Sequence, residues 1–123
     1  MGAPLRDNAA PLSIEVHGRD GVPVVVVRGE IDLSNEDVFT KCIDAQLDAG
    51  PAVLFLDLRG VDYIGSAGLR VLVCSDERAR EAGNRFVVIA DHSAVLRPLE
   101  VSELRQVLDV QPTFPEPPAS RDA

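Results

Sequence analysis

The chain has 123 residues, which is enough for one domain with a single hydrophobic core. Its 12 basic and 20 acidic side chains give a net charge of −8, and a surface of that sign repels nucleic-acid phosphates. No apolar run approaches the roughly 20 residues that a membrane span requires, and the first residues lack a secretion-signal pattern. We therefore expect a cytoplasmic protein that binds neither nucleic acid nor membrane.

The pattern of apolar residues predicts eight elements. Alternating apolar and polar residues indicate half-buried strands, spacings of three and four indicate helices, and glycine or proline marks the ends. The predicted elements are, in chain order, strands at about 12–17 and 22–28, a helix at 34–49, a strand at 52–58, a helix at 66–82, a strand at 85–90, a short helix at 93–99 and a strand at 107–110.

Two features predict how these elements are arranged. The dipeptide Asp20-Gly21 is a turn signal, so the first two strands should form an antiparallel hairpin. The later strands alternate with helices, which predicts an α/β fold with a mostly parallel central sheet and helices packed on it. We expect one domain at 11–110, between a flexible leader at 1–10 and a Pro-rich disordered tail at 111–123.

The segment DLRGVDYIGSAGL, residues 57–69, follows the most apolar strand and opens the second long helix. We interpret residues 59–65 as a loop at the rim of the sheet. The small side chains of GSAG, residues 65–68, should let the backbone of another protein approach closely. Ser66 carries the hydroxyl in this stretch, and it has two interpretations: a helix N-cap, or a site presented to a partner.

The sequence gives no support for a catalytic or metal site. Ser66 lacks the glycine two residues before it that a nucleophile elbow requires. His17 and His92 lack metal-site spacing, and we expect both to face solvent. Asp57 resembles the phospho-accepting aspartate of response-regulator receivers, but the acidic pair and the lysine that such chemistry requires are missing. We therefore predict that the chain is not an enzyme and uses no metal or cofactor.

Residues 57–69 resemble the signature of STAS domains, specifically the stand-alone bacterial anti-sigma factor antagonists. The earlier GEIDL, residues 29–33, is similar to a second recurring segment of that family, and the resemblance spans about residues 12–110. It implies a STAS (SpoIIAA-like) fold and a role in transcription regulation during the bacterial stress response. Family members bind an anti-sigma factor that is also a serine kinase of the histidine-kinase-like ATPase fold, and this binding frees a sigma factor.

The resemblance also implies a phosphorylation switch. The kinase phosphorylates the serine that matches Ser66, the complex dissociates, and a serine phosphatase resets it. Gly65 and Ala67 depart from the family pattern, because many members have Asp and then Ser or Thr at these positions, so Ser66 is the single candidate hydroxyl. The expected partner-binding residues are Glu30, Asp32, Asp62, Tyr63, Ile64, Gly65, Ser66, Ala67, Gly68, Leu69 and Arg70.

The sequence also leads to an expectation for the oligomeric state and to one alternative function. We expect the free protein to be a monomer or a weak dimer. The alternative function is that of a STAS subunit with a constitutive scaffold role, or one associated with a lipid transporter.

Overall fold

The computed structural model describes residues 12–115. Within them, strands and helices follow one another in the predicted order ββαβαβαβ. The elements are β1 (Ser13–Arg19), β2 (Val22–Ile31), α1 (Glu36–Asp48), β3 (Val53–Ile64), α2 (Ser66–Glu81), β4 (Arg85–Ile89), α3 (Ser93–Val101), a 3-10 turn (Leu104–Gln106) and β5 (Asp109–Gln111). The predicted leader at 1–10 lies outside the described residues.

The five strands form one sheet in the order β1-β2-β3-β4-β5. β1 and β2 are antiparallel and the other neighbouring pairs are parallel, which confirms the predicted sheet. Asp20 and Gly21 both have positive φ, 53° and 81°, and this left-handed pair matches the twist of a two-residue hairpin.

All three helices pack on one face of the sheet. Leu54, Leu56 and Leu58 of β3 alternate toward that face and join side chains from each helix in the main core. α1 contributes Phe39 and α3 contributes Leu99, and neither has any exposed surface. Within residues 12–115, no helix is both long enough and apolar enough to span a membrane.

The opposite face of the sheet carries a second apolar cluster, to which no helix within residues 12–115 contributes. Its buried side chains are Val24, Phe55, Val87 and Ile89. Phe114 packs on this cluster, and its ring meets that of Phe55 edge to face, with the centroids 5.2 Å apart. The predicted tail begins at 111, but residue 111 belongs to β5 and Phe114 lies against the sheet. Residues 116–123 lie outside the described part of the chain.

β3 is longer than the sequence predicts. The pattern suggests a loop over 59–65, but β3 continues to Ile64 and stays paired with β2. The register between the two strands shifts twice in this part, near Arg28 and near Gly29. Such bulges interrupt the alternation of buried and exposed residues, and the sequence criterion for a strand depends on that alternation. Ser66 therefore follows a paired strand directly.

Candidate functional site

The carboxyl ends of β2 and β3 lie side by side at one edge of the sheet. The two strands are parallel neighbours, and Ile31 is paired with Ile64 at their ends. The Gly65 N–H donates a hydrogen bond to the Ile31 carbonyl at 2.9 Å, which ties the start of α2 to the end of β2. The two sequence motifs, residues 29–33 and 57–69, therefore meet at this edge.

Ser66 is the first residue of α2, and its side chain is exposed. The N-cap residue is Gly65, which has an extended backbone (φ −90°, ψ −177°) and no side chain to cap the helix. The interpretation of Ser66 as the N-cap is therefore wrong. The helix start has no side-chain capping hydrogen bond, and Ser66 is exposed there.

The small residues after Ser66 are largely buried. Ala67 is 5 % exposed, and Gly68 is also buried. A Cβ atom on Gly68 would lie 2.7 Å from Cγ1 of Ile64 and 2.8 Å from Cγ2 of Ile31. The expectation that these small residues clear space for another backbone is therefore wrong for Gly68, because its size allows α2 to pack on the ends of β2 and β3.

The turn between β2 and α1 is fixed by Asn35. Its side-chain Oδ1 accepts a hydrogen bond from the Asp32 N–H at 3.0 Å, and its Nδ2 donates one to the Glu30 carbonyl at 2.8 Å. The Asp32 carboxylate accepts hydrogen bonds from the N–H and the hydroxyl of Ser34, at 3.0 and 2.6 Å. The Ser34 hydroxyl is thus bound to Asp32, and the N-cap residue of α1 is Asn35. These bonds hold the turn in one conformation.

Two large side chains with apolar surface are exposed beside Ser66. Leu33, in the turn after β2, is 77 % exposed, and Tyr63, near the end of β3, is 51 % exposed. They lie at a depression that we call the Ser66 surface, which is lined by Asp32, Leu33, Tyr63, Gly65, Ser66, Ala67 and Arg70. Exposed apolar side chains that cluster in this way are typical of contact sites for other proteins.

The predicted partner-binding residues divide into three groups. Those that line the Ser66 surface are Asp32, Tyr63, Gly65, Ser66, Ala67 and Arg70. Those that face the interior in whole or part are Ile64, Gly68 and Leu69. Glu30 and Asp62 lie on the adjoining strands and do not line the depression. Sequence reasoning missed Leu33, and the signal that marks it is an apolar residue between polar neighbours, outside any predicted strand or helix.

The charges around the Ser66 surface are mixed. α1 has Glu36 and Asp37 in its first turn, where acidic side chains are favourable, but the first turn of α2 has no acidic residue. Arg70 is exposed, four residues after Ser66. The ion pairs formed within residues 12–115 engage five other arginines and do not include Arg70.

Asp57 is a structural carboxylate. It is 6 % exposed within β3, and Arg59 donates to its two oxygens, from Nε to Oδ1 and from Nη2 to Oδ2, both at 2.9 Å. Burial by itself raises the pKa of Asp57, but the hydrogen bonds from Arg59 and the charges of Arg59 and Arg28 outweigh it and lower the pKa overall. Residues 12–115 contain no group of three or more acidic, histidine or cysteine side chains that could hold a metal ion.

The sequence predicts that His92 faces solvent, but the structure shows that it does so only in part. It is half-buried at the start of α3, and its Nε2 lies 2.6 Å from the carbonyl oxygen of Val61 in β3. The pairing of β3 with β4 ends at Asp57, so this hydrogen bond supports the part of β3 that leads to Ser66. His17, by contrast, is exposed on the edge strand β1 as expected.

The sequence is similar to that of known proteins over most of its length. A family model of the STAS domain matches residues 13–116. The anti-sigma-F factor antagonist RsfA of Mycobacterium tuberculosis is 33 % identical over 110 residues, which are 86 % of this chain and 83 % of RsfA. The anti-sigma-F factor antagonist RsfB of the same organism is 30 % identical over 93 residues, which are 76 % of this chain and 75 % of RsfB.

Solved structures share the fold. An anti-sigma factor antagonist from Mycobacterium paratuberculosis aligns with a TM-score of 0.79 and 32 % identity, over 85 % of this chain and 88 % of that one. The anti-sigma factor antagonist SpoIIAA in its unphosphorylated form aligns with a TM-score of 0.65 and 14 % identity, over 81 % and 87 % of the two chains. The second likeness concerns the fold alone. The expected SpoIIAA-like fold is thus confirmed.

Proposed function

Because this chain belongs to the STAS domain family, we propose that it is an anti-sigma factor antagonist whose binding is switched off by phosphorylation of Ser66. Its partner is an anti-sigma factor that is also a serine kinase of the histidine-kinase-like ATPase fold, and capture of that partner frees a sigma factor. A serine phosphatase restores the binding form. The observation that carries the proposal is that Ser66 is exposed at an uncapped helix start, beside the exposed side chains of Leu33 and Tyr63.

The Ser66 surface has the properties of a docking site. Burial of the apolar parts of Leu33 and Tyr63 against a partner contributes about 25 cal/mol for each Å² removed from water. The backbone beneath them is held by the Asn35 and Gly65 hydrogen bonds, so binding orders little more than the side chains themselves. A rigid site with two exposed anchors favours binding of a folded protein partner.

Phosphorylation at Ser66 would change this surface at its centre. A phosphoserine carries about −1.5 to −2 charges, which lose hydration if a partner packs on Leu33 and Tyr63. At the N-terminus of α2 the same charge is tolerated by the protein itself, because the helix dipole favours an anion there. The modification should therefore weaken the complex and leave the fold intact.

The first test measures modification and binding together. The cognate kinase with ATP should add one phosphoryl group, which peptide mass spectrometry places at Ser66. Ser66→Asp should weaken binding of that kinase at least about tenfold in calorimetry, roughly 1.4 kcal/mol. Ser13→Asp adds the same charge on exposed β1 and should leave the affinity unchanged. Equal affinities of the two variants, or modification elsewhere, would contradict the switch.

The second test concerns the two anchors. Leu33→Ala and Tyr63→Ala should each weaken binding by about 1–2 kcal/mol, the range of moderate interface hot spots. Val101 is 75 % exposed on α3 and does not line the Ser66 surface, so Val101→Ala is the matched control. If the control weakens binding as much as the other two variants, the partner docks elsewhere. A partner that is retained whether or not Ser66 is phosphorylated would favour the constitutive scaffold or transporter role.

A further inference from the structure

Ser66 and Arg70 are neighbours on the surface of α2. They are four residues apart, both are exposed, and both line the Ser66 surface. Side chains at this spacing have Cβ atoms about 5–6 Å apart on a helix, and each side chain leans toward the helix N-terminus. This spacing therefore brings the Arg70 side chain within reach of position 66.

The N-terminus of α2 is not balanced by a charge within its own first turn. Its first turn contains no acidic residue, and Gly65 gives it no capping group. The exposed N–H groups of a helix N-terminus already carry a partial positive charge, so an arginine in the second turn is unfavourable there unless an anion is close. Within the described part of the chain, Arg70 forms no ion pair, whereas five other arginines do. The acidic side chains near it are Asp32, which lines the Ser66 surface, and Glu36 and Asp44 of α1, which border a second depression with Arg70.

We propose that Arg70 is the intramolecular partner of the phosphoryl group on Ser66. This inference rests on the proposed phosphorylation of Ser66. The planar guanidinium donates two N–H bonds to two phosphate oxygens, which is the strong, bidentate form of such a pair. The two groups are placed for this by helix geometry alone, so the pair forms without a change in the fold.

The pairing gives phosphorylation a second effect on the docking surface. In the unmodified protein, Arg70 is available to a carboxylate of the partner. In the phosphorylated protein, the guanidinium is engaged within the chain. One modification thus adds negative charge at Ser66 and removes a free cation four residues away. The affinity for the partner therefore falls by more than the repulsion between the phosphoserine and the partner would cause by itself.

The experiment uses full-length protein with phosphoserine installed at position 66 during translation, which requires no kinase. ³¹P NMR then follows the second ionisation of the phosphate across pH 4–8. A neighbouring cation favours the doubly charged form, so Arg70→Gln should raise the titration midpoint by about 0.5 pH unit. Arg70→Lys should restore part of the difference, because it keeps the charge but loses the bidentate geometry.

Arg97→Gln is the matched control, since Arg97 is an exposed arginine on α3 that does not line the Ser66 surface. It removes the same charge and should leave the midpoint unchanged. Equal midpoints for the Arg70→Gln and Arg97→Gln proteins would overturn the pairing. That result is separate from a failure of the proposed function, which would show as absence of kinase-dependent modification at Ser66 in the natural protein.

Discussion

Replacing Gly68 with alanine separates two explanations for the small residues that follow Ser66. If Gly68 were exposed to admit a partner, the change would stabilise α2 by about 1 kcal/mol, because alanine has the higher helix propensity. In the structure, the added methyl group would lie 2.7 and 3.1 Å from Cγ1 and Cδ1 of Ile64 and 2.8 Å from Cγ2 of Ile31. These two isoleucines are 3 % and 0 % exposed, so neither can turn away into solvent.

The size of the effect follows from these contacts. An extra methyl group in a well-packed core costs about 1–3 kcal/mol, and two contacts below 3.0 Å with different buried side chains place Gly68→Ala in the upper part of that range. The gain in helix propensity offsets about 1 kcal/mol. We therefore expect the free energy of unfolding to fall by about 1–2 kcal/mol.

Urea denaturation followed by circular dichroism measures this change. The midpoint should fall with an unchanged slope, because the surface exposed on unfolding is nearly the same. Gly65→Ala is the control: its nearest contact is the Tyr63 hydroxyl at 3.1 Å, at the end of an exposed side chain that can move. That variant should lose less than about 1 kcal/mol. A more stable Gly68→Ala protein would refute the packing explanation.

Three further substitutions test other contacts. Phe114→Ala should lower the free energy of unfolding by about 1–3 kcal/mol in urea denaturation, because it removes the ring that packs on Phe55 and the second apolar cluster. Asp57→Asn should cost about 1–2 kcal/mol at pH 7, because it removes the buried carboxylate to which Arg59 donates two hydrogen bonds. Folding lowers the pKa of Asp57, so its ionised carboxylate contributes to stability. This contribution is complete above about pH 5 and is lost as the pH falls below the usual aspartate value of about 3.9. His92→Ala should speed hydrogen exchange at the end of β3 and leave β4 protected, as measured by NMR.

Each of these substitutions has a matched control. Phe114→Leu retains an apolar side chain and should lose less stability than the alanine variant. Asp62→Asn removes an exposed carboxylate from the same strand and should leave the free energy of unfolding at pH 7 unchanged. His17→Ala removes the exposed histidine and should leave hydrogen exchange in β3 unchanged. In each case, an equal change in the measured stability or hydrogen exchange for control and variant would mean that the named contact does not cause the effect.

The order of elements and the direction of the strands could be predicted because their signals are local. Alternation and turn residues such as Asp20-Gly21 identify the hairpin, and strands that alternate with helices indicate parallel pairing. The length of β3 could not be predicted, because the bulged pairing with β2 removes the alternation after Leu58. The position of Phe114 could not be predicted for a different reason. It lies among prolines, and a Pro-rich composition suggests disorder, whereas its contact is with the apolar face of the sheet.

The two motifs of the candidate site could be identified from the sequence, but the orientation of their side chains could not. The sequence identifies Ser66 as the candidate hydroxyl, but which neighbours face inward depends on how α2 packs against Ile31 and Ile64. That is a property of the assembled fold, so Gly68 was placed on the surface although it is buried. Leu33 was missed because an apolar residue between polar neighbours is a weak local signal, and its exposure depends on the turn that Asn35 fixes.

The two departures from the family pattern, Gly65 and Ala67, have a joint consequence in this structure. Ala67 is 5 % exposed, so a hydroxyl at that position would be less accessible than the one on Ser66. An aspartate at position 65 would crowd the Tyr63 ring, whose hydroxyl lies 3.1 Å from the site of its Cβ, and its charge would sit close to that of Arg70. With glycine there, Tyr63 keeps its place beside Ser66, and the acidic side chain that lines this surface is Asp32, from the turn after β2. Under the proposed switch, the residues at positions 65 and 67 therefore leave the Ser66 hydroxyl as the single group of this stretch that a kinase could modify.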